Sequence, residues 1–492
     1  MWSRFTVRSH RRRGVIFPRL ALVVLVPLLL AACGSGTATT SPALGSASPA
    51  GASSQPASPS GGAATLSAPS GDPASIGSAF VAALARGDDA SAEAMEDATM
   101  RAAAPGAALG KLWGQFVAQY GAFGGIGTVT TTAQAPYTIA AVETSFANST
   151  VTLTVAISSG GQVSGLHVAK VVPSSSSPAP SPAAYVNPSA FTESATTVGS
   201  APWALPGTLT LPKGTGPFAA VVLVQGSGPS DRDETIGPNK PFRDIAWGLA
   251  SAGIAVLRFD KRTFVYGAQM AADTTITVRQ ETTDDAIAAV ALLRRTPNVD
   301  PTRIFLVGHS LGAYLAPRIA SEVPGQLAGI AMLEAPSTPM AQLILVQSRY
   351  LASLQGSPSP QVQQQLAALE TQVALAQSAG LSPSTPASEL PLNTPASYWL
   401  DLQAYRPVSV AAALRIRMFF SQGGRDYQVP PSELQPWQAA LSGRTNVAFW
   451  TYPAMNHLLI DGSGPATPAE YSVAGHVDER LVADLATWVA GH

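Results

Sequence analysis

Gly308-His309-Ser310-Leu311-Gly312 sits between an apolar, β-branched run, Ile304 to Val307, and a small-residue run, Ala313 to Ala320. Strand, G-x-S-x-G, helix is the arrangement in which a serine becomes a nucleophile. The flanking glycines are a steric need, because strand and helix backbones pass too close for a Cβ. Such a turn lifts the hydroxyl above the sheet edge. It also aims it at a helix N-terminus, whose free N–H groups favour negative charge. A hydroxyl of ordinary pKa needs a base to attack a carbonyl. After Ser310 the chain offers only His457, His476 and the terminal His492. His457 lies in the segment Pro453-Ala454-Met455-Asn456-His457-Leu458 after the strand-like run Asn446 to Tyr452 and is the base candidate, whereas His476 falls in a stretch expected to be a helix leading to Trp488. The carboxylates that could orient the base are Asp426, Glu334, Asp401 and Asp461. Asp426 lies in a Gly-rich turn after the strand-like run Leu414 to Ser421, with Arg425 beside it to keep it ionised. Glu334 also ends a buried run, Gly329 to Leu333, but one strand earlier.

The surrounding pattern alternates strand and helix. Ala219 to Val224 reads as a buried strand, followed by the turn QGSGPSDRDE and a helix Phe242 to Ala252. Within that turn Asp231, Arg232 and Asp233 read as turn-locking salt bridges. Ile254 to Phe259 is the next strand, ending in Asp260-Lys261-Arg262, a loop expected at the pocket mouth. Asp284 and Asp285 lead into a helix Ala286 to Arg295, with acids in the first turn. This order predicts a parallel, right-handed α/β sheet, preceded by leading strands between Tyr185 and Pro212. Residues of about 337–412 form an insertion: a helical stretch Met340 to Ala379 broken at Gly356 to Pro360, then a helix around Ser397 to Leu402. An insertion of this size predicts a helical lid, with Trp399 and Tyr405 lining an apolar acyl pocket.

The 492 residues are 46% hydrophobic and 12% charged, enough for a large core and more than one domain. Residues 1–32 hold six arginines and no acid ahead of the apolar run Leu20 to Leu30, a signal-peptide layout. Without them 23 basic residues face 30 acidic ones, a net of −7, which does not suggest nucleic-acid binding. The run closes Leu30-Ala31-Ala32-Cys33-Gly34, which resembles a bacterial lipobox. That resemblance implies lipidation of Cys33, a membrane anchor, and an extracytoplasmic location. Cys33 is the only cysteine, so no intramolecular disulfide and no cysteine metal cluster can form. Residues 33–72 are a Ser/Ala/Pro-rich tether, and 174–184 a second linker. Between them, 73–173 carries helical periodicity and then alternating segments, predicting a small α+β domain.

From about Pro202 to His492 the chain resembles the α/β-hydrolase superfamily, in its secreted esterase and serine-aminopeptidase-like branch. GHSLGAYLAPRIA, QGSGPSDRD, QGGRDYQV and AMNHL carry the resemblance. It implies an α/β-hydrolase fold over 185–492 and a Ser310, Asp426, His457 triad in the chain order this fold uses. It further implies an oxyanion hole from the backbone N–H groups of Ser227 and Leu311. Relatives have His-Gly where this chain has Gln225-Gly226, and glycines where it has Thr263 and Val265. The implied reaction is acyl transfer to Ser310 and hydrolysis of the acyl-enzyme, with no metal or organic cofactor. A small ester with a short or medium acyl chain is the expected substrate. A serine peptidase, with Glu334 holding an α-ammonium, and a non-catalytic surface-binding lipoprotein are the alternatives. LWGQFVAQYGAF and SGGQVSGLHV resemble a domain of unknown function, nuclear-transport-factor-like in shape, that often precedes such hydrolases; a spacer or binding module is the expected role.

Overall fold

The computed structural model describes residues 71–103, 106–134, 137–147, 149–173, 181–354 and 356–491. The signal-like segment, Cys33, nearly all of the first tether, residues 174–180 of the second linker, and His492 lie outside the described residues.

The first folded part opens with the helix Pro73–Ala85. Asp72 caps it by accepting from the Ala74 and Ser75 N–H groups at 2.9 and 3.3 Å, and proline occupies the first turn. Short helices follow at Asp89–Ala94 and Ala98–Ala103, then a longer one at Gly106–Tyr120. Four antiparallel strands close the unit in sequential order: β1 (Phe123–Gln134), β2 (Tyr137–Phe146), β3 (Ser149–Ser158) and β4 (Val163–Pro173). Register shifts around Gly125 and Ile126 let β1 run from Phe123 through its glycines. On β3, Val151, Leu153, Val155 and Ile157 face inward onto Phe80 and Trp113, the period-2 signature of a half-buried sheet.

The second part is an eight-stranded, mostly parallel sheet. Its strands are β5 (Phe191–Val198), β6 (Leu205–Pro212), β7 (Phe218–Val224), β8 (Ala255–Phe259), β9 (Val299–His309), β10 (Gly329–Leu333), β11 (Arg417–Gly423) and β12 (Val447–Tyr452). They lie in the order β12-β11-β10-β9-β7-β8-β6-β5, and only the β5 and β6 pairings are antiparallel. β9 is central. Its Ile304 and Leu306 enter one core with the helices Asp284–Leu293 and Leu311–Glu322. Its Phe305 and Val307 enter the other, with the helices Pro241–Ser251 and Glu479–Ala490. Burial on both faces explains the unbroken apolar runs that marked these strands. Each such side chain contributes roughly 1.5–3 kcal/mol.

Between β10 and β11 stand four helices: Met340–Ser353, Pro360–Gln377, Ala396–Gln403 and Pro407–Ala413. Trp399 and Tyr405 were expected to line an acyl pocket. Instead they are buried in the core that fastens this insertion to the sheet. The Tyr405 hydroxyl donates to the Tyr314 carbonyl at 2.9 Å and accepts from the Arg318 N–H at 3.2 Å.

Candidate active site

All parallel strands end on one edge, where open α/β sheets bind ligands. The loops that leave β7, β9, β10, β11 and β12 meet there.

Ser310 follows β9 directly and has φ 53° and ψ −113°, an angle pair that L-residues avoid. Holding it costs about 1–3 kcal/mol. Its N–H donates to the Leu333 carbonyl at 3.0 Å, and its own carbonyl accepts the Tyr314 N–H at 2.9 Å. A Cβ on Gly308 would strike the Gly312 backbone, and one on Gly312 would strike the Val224 carbonyl. The two glycines therefore let β7, β9 and the following helix converge on the serine, as the motif predicts.

Asp426 and His457 are joined: Asp426 Oδ2 lies 2.6 Å from His457 Nδ1. Asp426 Oδ1 accepts the N–H groups of Gln428 and Val429 at 2.8 and 2.9 Å. The pair is almost fully buried. The loops that carry it are themselves bonded, Gly424 N–H to Tyr452 O at 2.9 Å and Arg425 N–H to Met455 O at 3.0 Å. Arg425, expected to keep Asp426 ionised, turns away and pairs with Glu470 at 2.9 Å. Backbone N–H groups hold the carboxylate instead.

His309, beside Ser310, reaches His457. Its Nε2 is 2.9 Å from the His457 carbonyl oxygen, and the two rings lie 4.7 Å apart. Its Nδ1 faces Glu234 at 3.0 Å, a contact whose alignment makes it electrostatic more than a directed hydrogen bond. Burial disfavours the charged ring, but the Glu234 carboxylate outweighs it and the His309 pKa is raised. Among the described residues nothing bonds to Ser310 Oγ.

The expected oxyanion donors sit at the same edge. Leu311 N–H is the first of its helix, with no intrahelical acceptor. Ser227 follows Gly226, where an added Cβ would lie 3.2 Å from Ser310 Cβ. Among the described residues neither N–H donates to a protein acceptor.

The remaining carboxylates divide clearly. Glu334 ends β10 at φ 53°, is fully buried, and accepts from Gly423 N–H at 3.0 and 2.9 Å and from Gln422 Nε2 at 3.0 Å. Burial, then the charge of neighbouring Asp426, raises its pKa well above the usual range. Asp401 pairs with Arg318 at 2.8 Å, away from this edge, and Asp461 is half exposed beside Arg480. His476 precedes the last helix rather than lying in it, and contacts Asp244 at 2.9 Å.

Two loops differ from their reading. Arg232 does lock the turn after β7, but its partner is Asp260, at 2.7 Å, while Asp233 takes Lys240 and Arg258. Asp260, Lys261 and Arg262, which open the Asp260 to Gly267 loop expected at the pocket mouth, are buried, while Phe264 further along it is exposed. The sequence gives Glu234, His309, Lys261, Glu281 and Gln422 no role, because each reads locally as a polar residue of a turn, motif or helix start and only its partner makes it part of the site.

Two family models match the chain: "Alpha/beta hydrolase family" over residues 221–471 and "Protein of unknown function (DUF3887)" over 78–166. A curated relative, Esterase EstD of Thermotoga maritima, is 39% identical over 381 residues, covering 77% of this chain and 86% of that protein. Among solved structures, Est1E from Butyrivibrio proteoclasticus is 15% identical, covers 61% of this chain and 99% of its own, and has a TM-score of 0.39. The Pyrococcus furiosus esterase PF2001 is 18% identical, covers 55% and 84%, and has a TM-score of 0.37. With a family model spanning half its length and a relative this similar over most of both sequences, the chain belongs to the α/β-hydrolase family.

Proposed function

We propose that the chain is a serine carboxylesterase acting on small esters with short or medium acyl chains. The observation that carries this reading is the strained Ser310 at the edge where the Asp426–His457 pair is buried and bonded. Ser310 attacks the ester carbonyl, His457 takes its proton, and Asp426 holds the imidazole in the tautomer that accepts it. The oxyanion is received by the N–H groups of Ser227 and Leu311, donors of a kind that can be worth roughly 3 kcal/mol each. His457 returns the proton to the leaving alcohol and then activates water against the acyl-enzyme. The similarity to Esterase EstD supports ester over amide substrates. Glu334, the carboxylate that could have held a peptide's α-ammonium, is sealed inside and already bonded to Gly423 N–H and Gln422. The test is a panel of p-nitrophenyl esters and aminoacyl anilides on wild type and Ser310→Ala. Ester turnover lost on substitution is expected; anilide turnover alone would make it a peptidase.

The six arginines, the apolar run and Leu30-Ala31-Ala32-Cys33 support an extracytoplasmic enzyme anchored through a lipid on Cys33. The tether and the module at 73–173 would then hold the hydrolase away from the membrane surface.

A further inference from the structure

Lys261 is buried at the end of β8, although lysine is almost never fully buried without a partner. Its ammonium donates to the Gly226 carbonyl at 2.7 Å and to Glu281 Oε1 at 2.6 Å. The other oxygen of Glu281 accepts the Tyr398 hydroxyl at 2.7 Å. Tyr398 belongs to the helix Ala396–Gln403 of the insertion. Burial and then the Glu281 charge push its phenol well above the usual range, so it remains a donor. On the other side of the same residue, Gly226 N–H donates to Glu234 Oε1 at 2.7 Å. Both polar groups of Gly226 are thus held by buried charged side chains.

The Gly226–Ser227 peptide is trans, so its C=O and N–H point in opposite directions. Fixing the carbonyl on Lys261 therefore fixes which way the Ser227 N–H points. A flip of this peptide rotates ψ of Gly226 and φ of Ser227, and without a Cβ at Gly226 the first of these torsions is little restrained. A flipped peptide would turn its carbonyl oxygen toward the nucleophile, where it would repel a developing oxyanion. We propose that Lys261 is a positioning residue of the oxyanion hole, its ammonium clamping the Gly226 carbonyl so that the Ser227 N–H faces Ser310. Glu281 and Tyr398 anchor the clamp in the helical insertion, so the insertion helps set the donor. This rests on the serine-esterase reading above and assigns its machinery a member that does not touch the substrate.

The test uses the full chain and a p-nitrophenyl butyrate assay, with phenylboronic acid as the probe that forms a tetrahedral anion on the serine oxygen. Lys261→Met should lower kcat roughly 10- to 100-fold, below the full loss of an oxyanion donor. KM should stay within about threefold, and the boronate Ki should rise by about the same factor as kcat/KM falls. Because Lys261→Met strands the Glu281 charge, Lys261→Met/Glu281→Gln is made beside it, leaving the Gly226 carbonyl unheld without that burden. Tyr398→Phe should give a smaller loss of the same kind, in kcat and boronate affinity together. A folded double variant with wild-type kcat and wild-type boronate Ki overturns the proposal, as does a loss seen only in thermal stability. Wild type with no Ser310-dependent turnover at all would instead sink the esterase reading beneath it.

Discussion

The ring of His309 lies 4.7 Å from that of His457, and its Nε2 is 2.9 Å from the His457 carbonyl oxygen. The residue beside Ser310 thus supports the loop that carries His457, the proposed base. Its two partners, this carbonyl and the Glu234 carboxylate, are both acceptors, so a doubly protonated ring suits both. With its folded pKa raised, His309 stabilises the fold fully below the unfolded value of about 6.5. That contribution is lost as pH rises through the higher folded value. His309→Phe should cost roughly 1–3 kcal/mol at pH 6, and its deficit against wild type should shrink toward pH 9 in urea unfolding. An equal deficit at both pH values would mean the ring is neutral.

Burial and then the neighbouring Asp426 charge raise the pKa of Glu334 well above the usual carboxylate range. A carboxyl whose folded pKa lies above its unfolded one favours the fold at low pH and weakens it as pH rises through the folded value. Glu334→Gln should keep esterase activity near wild type and flatten the alkaline side of the stability profile. Glu334→Ala should lose roughly 1–3 kcal/mol, since the Gly423 N–H and the Gln422 amide lose their acceptor. Unfolding curves at pH 6 and 9 check both.

Asp426→Asn should fold with little change in Tm, because Oδ1 still accepts from Gln428 and Val429. The new amide group faces His457 Nδ1 as a donor and selects the wrong tautomer. A drop in kcat on the order of 10⁴-fold is expected in steady-state ester hydrolysis. A fall below tenfold would move the triad acid elsewhere.

Gly312→Ala should prevent stable folding, since its methyl would enter the Val224 carbonyl. Overpacking of this kind costs about 1–3 kcal/mol or more, and backbone on both sides leaves no side chain to yield. Soluble yield and thermal melting of the variant read this out; a normal melt would contradict the packing.

Cys33→Ala should abolish incorporation of radiolabelled palmitate and release the enzyme from the membrane fraction in a bacterial host, with esterase activity per molecule unchanged. Label retained in the variant would refute lipidation at Cys33.

Much of the catalytic edge was legible in the sequence because its constraints are local. Only glycine fits at 308 and 312, only a strand buried on both faces reads as Ile304 to Val307, and few histidines follow Ser310. The place of Asp426 in a turn after one strand-like run and of His457 after the next, with the serine, acid, histidine order that the resemblance implies, pointed to this pair. Tertiary structure alone decided what holds these groups in place. Arg425 turned from Asp426 to Glu470 because the base loop wraps it there, and Trp399 and Tyr405 went to packing rather than to a pocket. Glu234, Lys261, Glu281 and Glu334 gain their roles from His309, Gly226, Tyr398 and Gly423, partners far away in the chain that the fold brings close. A charged side chain's role follows from its burial and its partner, and neither is written in its neighbours.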